Sequence, residues 1–583
     1  MALKNLSYLN KYFIKYKWRF LLGVLFVSAS NFFGILIPQK IRDSLNFVIF
    51  HIEKQGSGNV KSLDLDLKHT LMVFALTIIG FVLLKGILMF LMRQTIIVNS
   101  RLIEYDMRKE LYEHYQKLDI SFYKINKTGD LMSRITEDIS KVRNYLGPGI
   151  LYGINLVSLF SLTIYAMFSV NATLALYTLL PLPLLSVSIY YVSNLINKKS
   201  MEIQRQLATL TTIAQESYAG IRVLKSYGKE SQFNQYLSDE CENFRLKSLD
   251  LARVNAWFFP LMILLINIST LLVLWVGGKQ VEAGTVTAGN IAEFIIYVNM
   301  LTWPVTSIGW IASIVQEAEA SQERINEFLN TQPQIESGVL RLPPDMGDVE
   351  LKNVGFTYKD SGIKALNNIS LKIKKGEKIA IIGKTGAGKS TLADLILRLY
   401  DPDEGEILIN NRKIKEYDLS DLRQKIGYVP QDVFLFSDNI SNNISFGLLQ
   451  DVNTEKIQQY AAYAAVKTEI ERLPDTYDTL VGERGVTLSG GQKQRISIAR
   501  ALIKNPEMII LDDCLSAVDT ETEKIILEYL NDQLKDKTAI IITHRLSALL
   551  NIDKIAILHE GNLIAYDSPS SANIEELVMT NLE

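Results

Sequence analysis

Six long apolar stretches crowd the first part of this 583-residue chain, and they leave little freedom in how it can fold. They run approximately from Phe20 to Ile37, Thr70 to Met92, Gly147 to Val170, Thr173 to Asn194, Ala256 to Val276 and Ile291 to Val315. Each is near the roughly 20 residues that a helix needs to cross a bilayer, so residues 1–329 are predicted to form a six-span helical membrane domain. Only Asn171-Ala172 separates the third and fourth stretches, which implies a transmembrane hairpin. Ahead of the first span stand Lys4, Lys11, Lys15, Lys17 and Arg19 with no acid among them, which places the N-terminus in the cytoplasm. Residues 4–18 also carry Leu6, Leu9, Tyr12, Phe13 and Tyr16, the apolar face of an interfacial elbow helix. A cleaved leader is the weaker reading, because no small-residue cleavage pattern follows.

Two segments of this half, Gln94 to Leu146 and Ile196 to Arg253, are too polar for membrane and too long for ordinary loops. In the first, Ile103, Met107, Leu111, Tyr115 and Leu118 recur every three or four residues, so the spans are expected to continue as amphipathic helices into the cytoplasm. Each arm contains a glycine in a charged, turn-prone patch, at 122–134 and 216–226. Net charge is −2, which argues against a nucleic-acid partner. Cys241 and Cys514 have no metal-ligand spacing and read as reduced thiols.

After Phe328 the pattern changes. Pro333, Pro343 and Pro344 break a linker over 330–347, and 348–583 read as an α/β domain. Glu350 to Tyr358, Ile369 to Ile373 and Lys378 to Ile382 are predicted strands, the last entering Gly383-Lys384-Thr385-Gly386-Ala387-Gly388-Lys389-Ser390 ahead of a helix to Tyr400. That is the context a phosphate-binding loop requires. Its glycines let backbone amides point at phosphate oxygens, Lys389 reaches the β and γ groups, and Ser390 can ligate Mg²⁺. Met508 to Asp512 is a second buried strand, delivering a carboxylate that holds Mg²⁺ through water. Leu488-Ser489-Gly490-Gly491-Gln492 precedes a helical run and forms another anion-binding helix start.

With these motifs together, the chain resembles an ATP-binding-cassette exporter half-transporter of the bacterial multidrug type over essentially its whole length. The resemblance implies ATP and Mg²⁺ as cofactors, and a P-loop ATPase domain with antiparallel β and helical subdomains. It implies that Tyr358 stacks on adenine, that Gly383 to Ser390 together with Thr391 bind nucleotide, and that Gln431 senses metal and γ-phosphate. It also implies that His544 contacts the γ-phosphate, that Ser516-Ala517-Val518-Asp519 crosses between paired domains, and that Val481 to Gly485 feels the membrane arms. The two glycine corners match coupling helices. In such proteins the P-loop of one chain meets the signature loop, here Leu488 to Gln492, of another, so a second half-transporter is required. The residue after the magnesium aspartate is usually a glutamate, and here it is Asp513. Removing one methylene draws the carboxylate back by about 1.5 Å, and a misplacement of ~1 Å can cost about a hundredfold in rate. The expectation is a slow, ATP-holding site in an asymmetric heterodimer, with a slow homodimer as the alternative.

Cargo is the least determined part. Lys85, Glu293, Tyr297 and Trp303 are candidate substrate contacts, with Trp257, Phe258, Phe259, Trp310, Asn267 and Asn299 nearby in sequence. The rings equally suit interfacial belts. Lys85, within an apolar run, faces either a water-filled cavity or an interface. Efflux of lipophilic or amphipathic compounds across the plasma membrane, in contact with membrane lipid, is the leading expectation; a lipid flippase and a nucleotide-gated channel are the alternatives.

Overall fold

In a computed structural model of the chain, the described residues are 4–55, 63–448, 450, 452–482, 485, 488–515, 518–533, 535–543 and 552–571. They fall into two compact units, one of Met1–Gln116 with Gly129–Thr331, the other of Lys117–Thr128 with Gln332–Glu583.

The first unit is helical. Five segments among the described residues, Lys17–Glu53, Leu67–Lys117, Thr128–Val170, Glu230–Glu282 and Ala288–Asn330, are long and apolar enough to cross a membrane. The stretch expected as a fourth span is helical in two pieces, Ala172–Leu179 and Pro181–Ala219, and stands outside those five. The break coincides with Pro181, which has no N–H to continue the ladder. Asn171 makes the tight connection before it: its N–H donates to the Met167 carbonyl at 3.2 Å, and its Oδ1 accepts from the Leu174 N–H at 2.8 Å. The helices extend far past the apolar runs that seed them. Glu230–Glu282 has 53 residues, about 80 Å at 1.5 Å per residue. On Val98–Lys117 the predicted apolar face is buried at Ile103, Met107 and Leu111, while Arg101, Lys109 and Glu113 are exposed.

The N-terminal segment differs from a plain interfacial helix. It forms a short 3₁₀ turn, Asn5–Leu9, and one α-helical stretch, Asn10–Lys15, with Leu6, Leu9 and Tyr12 buried. Its lysines are tied down: Lys11 pairs with Glu110 and Lys15 with Asp106, each at 2.6 Å. Of the two glycine corners, the second consists of Ile221–Tyr227 between Gly220 and Gly228, where φ is +61°. The first, 122–134, overlaps the helix Ile120–Ile125, which Asp119 caps, and its residues 122–128 cluster with the second unit while 129–134 belong to the first.

The second unit is built on two sheets. Strands β1 (Val349–Thr357), β2 (Lys364–Ile373), β4 (Glu404–Ile409) and β5 (Arg412–Lys413) form an antiparallel sheet in the order β2-β1-β4-β5. Strands β3 (Lys378–Ile382), β6 (Ile426–Val429), β7 (Met508–Asp512), β8 (Thr538–Ile542), β9 (Lys554–His559) and β10 (Asn562–Asp567) form the larger sheet, ordered β10-β9-β3-β8-β7-β6. From β9 to β6 the pairing is parallel. The apolar runs of β3 and β7 are buried on both faces, as a covered parallel sheet demands. Helix Lys389–Ile396 covers one face and joins the two sheets through a shared core that includes Leu351, Ile381, Leu392 and Ile510. A second cluster around Ile440, Ile457, Ile470 and Ile496 holds the helical subdomain.

Candidate functional site

Register alone brings the sequence motifs to one edge of the large sheet. Ile381 of β3 lies opposite Ile542 of β8, and Asp512 of β7 lies opposite the same Ile542. Asp512 therefore stands level with the residue two before Gly383, with one strand between them, about 10 Å across at ~4.8 Å per strand. Val429 of β6 pairs with Leu511, so Gln431 leaves the sheet at that edge as well. Carboxyl ends of parallel strands are where α/β sheets bind ligands.

The loop after β3 has the backbone that its glycines predict. Gly386 and Gly388 have φ of +84° and +95°. A Cβ on Gly388 would stand 2.4 Å from the Ala365 carbonyl oxygen, and one on Gly383 would stand 2.2 Å from that of Leu558. A Cβ on Gly386 would meet nothing within 4 Å. The loop thus packs closely against strands on one side and leaves its turn open on the other. Lys384, Thr385 and Gly386 are exposed there, while Ala387 and Lys389 are buried. The Lys389 ammonium donates to the carbonyls of Gly383 at 2.7 Å and Lys384 at 3.0 Å. Burial pushes its pKa down, and the nearby carboxylates of Asp512 and Asp513 oppose that shift. A lysine whose ammonium rests on loop carbonyls, beside an open, exposed glycine turn, fits a polyphosphate. Ser390 begins the helix and Asp512 is buried at the strand end, so the oxygen donors fit the hard cation that accompanies such phosphates.

Asp513 follows in the left-handed region, at φ +45°, where its N–H donates to the Ile542 carbonyl at 2.9 Å. Aspartate adopts that conformation more readily than most residues other than glycine. Its carboxylate is half-buried at the same edge as Asp512.

Tyr358 lies just beyond β1. Its hydroxyl is 2.9 Å from the Thr391 hydroxyl, which ties the ring to the helix after the loop. The ring meets Phe356 and Tyr400 edge-on, with centroids 5.0 and 5.6 Å away. Lys124 of the Ile120–Ile125 helix holds its ammonium 4.4 Å from the Tyr358 centroid and 5.1 Å from that of Tyr400, at the edge of a cavity of about 310 Å³. Asp394 lies close to this group, and burial pushes its carboxyl up to about 6, with Lys124 opposing the shift and Asp512 adding to it. Lys124, Tyr400 and Asp394 were not predicted site residues. The only sequence signal for Lys124 is its place in a glycine corner.

Ser489 caps the helix Gly490–Leu502 in a reciprocal box: its hydroxyl accepts from the Gln492 N–H at 3.3 Å, and its own N–H donates to Gln492 Oε1 at 2.9 Å. Gln492 and Arg495 both bind Glu469, which anchors the helix start to the helical subdomain. Leu488 is half-buried and Ser489 and Gly490 are exposed. Asp519 caps the helix Thr520–Gln533, accepting from the Thr522 N–H at 3.0 Å. His544 lies outside the described residues, as do Ser516, Ala517, Glu483 and Arg484.

Residues 20–305 match the family described as ABC transporter transmembrane region, and residues 366–516 match the family described as ABC transporter. A probable multidrug resistance ABC transporter ATP-binding/permease protein of Bacillus subtilis, YheI, is 34% identical over 569 residues, covering 96% of this chain and 94% of its own. The chain belongs to the ABC transporter family. It is a multi-pass membrane transporter with an ATPase coupled to transport. Two other relatives are each 32% identical to this ABC transporter. One is the Escherichia coli multidrug resistance-like ATP-binding protein MdlA, covering 95% of this chain and 92% of its own. The other is the ATP-dependent lipid A-core flippase of Haemophilus influenzae, covering 85% and 84%. The fold matches a bacterial Atm1-family ABC exporter solved with ATP bound, at a TM-score of 0.77 and 23% identity over 98% of this chain and 97% of that one.

The candidate cargo residues of this ABC transporter separate into two groups. Lys85 and Trp303 line a cavity of about 850 Å³ in the membrane unit. Glu293 and Tyr297 do not, being fully buried elsewhere. Glu293 pairs with Arg42 at 3.1 Å and accepts from the Tyr297 hydroxyl at 2.8 Å. Both are parts of a packed helix contact.

Proposed function

We propose that this chain is one half of a dimeric, ATP-driven exporter of lipophilic or amphipathic compounds, set in the plasma membrane with its N-terminus and nucleotide-binding half in the cytoplasm. The observation that carries the reading is the shared sheet edge, where the open glycine loop, Lys389, Asp512 and Asp513 converge. ATP would lie with its phosphates on the backbone of residues 383–390 and its adenine against Tyr358. Lys389 would exchange the carbonyls of Gly383 and Lys384 for β- and γ-phosphate oxygens. Ser390, Gln431 and, through water, Asp512 are the residues that would hold Mg²⁺, which when bound neutralises phosphate charge. Asp513 would orient the attacking water, and in this reading His544 contacts the γ-phosphate.

The signature residues Leu488 to Gln492 would serve the ATP of a second chain. The second glycine corner supports such a partner: Tyr218 and Tyr227 are 77% and 75% exposed, and Ile221 and Val223 are exposed beside them. The short Asp513 favours a heterodimer in which this chain holds one ATP and helps its partner hydrolyse the other. A flippase reading is favoured by one observation, the lipid A-core flippase among the relatives.

Inverted membrane vesicles test the proposal. ATP-dependent accumulation of a lipophilic dye that Lys389→Ala abolishes is the expected result. Passive current with ATP bound, and no accumulation, would replace the pump with a gate, and ATP-dependent translocation of labelled phospholipid in place of dye would favour the flippase.

A further inference from the structure

The cavity in the membrane unit has a charge pattern that narrows the cargo. It is lined from four long helical segments, Lys17–Glu53, Leu67–Lys117, Thr128–Val170 and Ala288–Asn330. Lys85 and Arg93 both line it, and among the described residues no aspartate or glutamate does. Among the described residues no carboxylate pairs with either cation. Arg42, another cation of this unit, is by contrast bound to Asp43 at 2.8 Å and to Glu293 at 3.1 Å.

Lys85 is turned inward. Its Nζ lies 3.2 Å from where a Cβ would stand on Gly34 of the facing helix, so the end of the lysine packs against that glycine. An unpaired ammonium within an apolar span is costly unless water or an anion meets it. Arg93 is eight residues further along, about 12 Å of helical rise, with Met89 and Met92 on the face between. Opposite, Tyr152 packs 5.2 Å from Trp303, centroid to centroid, which gives an aromatic wall. The other polar side chains that line it, Asn31, Asn155 and Asn299 among them, are uncharged.

We propose that this cavity selects amphiphiles with an anionic head, a phosphate, sulfonate or carboxylate, over cationic ones. Lys85 and Arg93 bind the head, and the apolar body lies along Met89, Met92 and the Tyr152–Trp303 wall. This rests on the reading of the chain as an exporter of amphiphiles and specifies the charge of its cargo. A lipid headgroup and a free amphiphile present the same chemistry to Lys85.

The test uses the full-length transporter in zwitterionic nanodiscs without nucleotide, and two dansyl-labelled alkyl chains of equal length, one ending in phosphate and one in a quaternary ammonium. Energy transfer from tryptophan to dansyl reads binding. The phosphate probe is expected to bind about tenfold tighter or more, equivalent to ~1.4 kcal/mol. Lys85→Gln and Arg93→Gln should each erode that preference, and Lys85→Arg should restore it. Competition by phosphatidylglycerol added to the nanodisc identifies a lipid as the source of the head; competition only by a soluble alkyl phosphate identifies a free amphiphile.

Equal affinity for the two probes, or a preference that survives the Lys85→Gln, Arg93→Gln double variant, overturns the proposal. Because no ATP is present, the outcome is independent of export. A charge preference without ATP-driven uptake in vesicles would sink the export reading alone, and uptake without a charge preference would sink this one alone.

Discussion

Lys389 shows how one side chain couples the fold to nucleotide. Buried, with its ammonium on two loop carbonyls, it is held ready for a stronger acceptor. Charge-assisted hydrogen bonds contribute about 1.5–3 kcal/mol, so Lys389→Ala should weaken ATP binding by roughly tenfold to a hundredfold, measured by titration with a fluorescent nucleotide. Asp394 offers a pH test. Its folded carboxyl is raised to about 6 from an ordinary value of 3.8, chiefly by burial. Between those values the folded state keeps a proton that the unfolded state has released. Stability of the nucleotide-free protein should therefore fall as pH rises from about 4 through about 6 and stay lower above it, by up to about 3 kcal/mol from this group. Hydrogen exchange at the β3 amides reads the change, and Asp394→Asn should flatten it. The role of Lys389 was legible in the sequence; the raised Asp394 carboxyl was not, because burial, its main cause, exists only once the domain has folded.

At the scale of elements, the sequence was most informative where local rules suffice. The strand Lys378–Ile382, the glycine loop and the helix after it stand where a continuous apolar run and turn chemistry place them. Asn171 caps one helix and begins the next, as its two-residue connection requires. Helix ends were less legible: the helix after the loop stops at Ile396, short of Tyr400, which instead packs against Tyr358. Gly388→Ala should be costly because it adds strain at φ +95° and sets a methyl 2.4 Å from a carbonyl oxygen. A loss of about 2–3 kcal/mol or more is expected, seen as a lower thermal midpoint and weaker nucleotide binding. An unchanged midpoint would mean that the loop backbone is not fixed in this conformation.

At the scale of the whole molecule, long-range pairs decide what sequence leaves open. Glu293 reads as a cargo residue until Arg42, 251 positions away, is found beside it. Arg42→Ala leaves a buried carboxylate without its guanidinium and should destabilise the protein by about 3–5 kcal/mol, as a fall in thermal midpoint. Lys85→Gln should alter cargo binding instead, since among the described residues Lys85 has no carboxylate partner to lose. Five of the six expected spans were legible because each apolar run is about a membrane's thickness long, and the cavity was not, since it takes residues from four helical segments. The proposed inequality of the two ATP sites is likewise a property of the assembly. It depends on Asp513 being too short for its task while Lys389, Ser390 and Asp512 remain able to bind nucleotide. The most direct measurement is ATP turnover of the purified native complex carrying Asp513→Glu. A rise of about tenfold or more, with ATP affinity unchanged, is expected; turnover that stays level or falls contradicts the unequal sites.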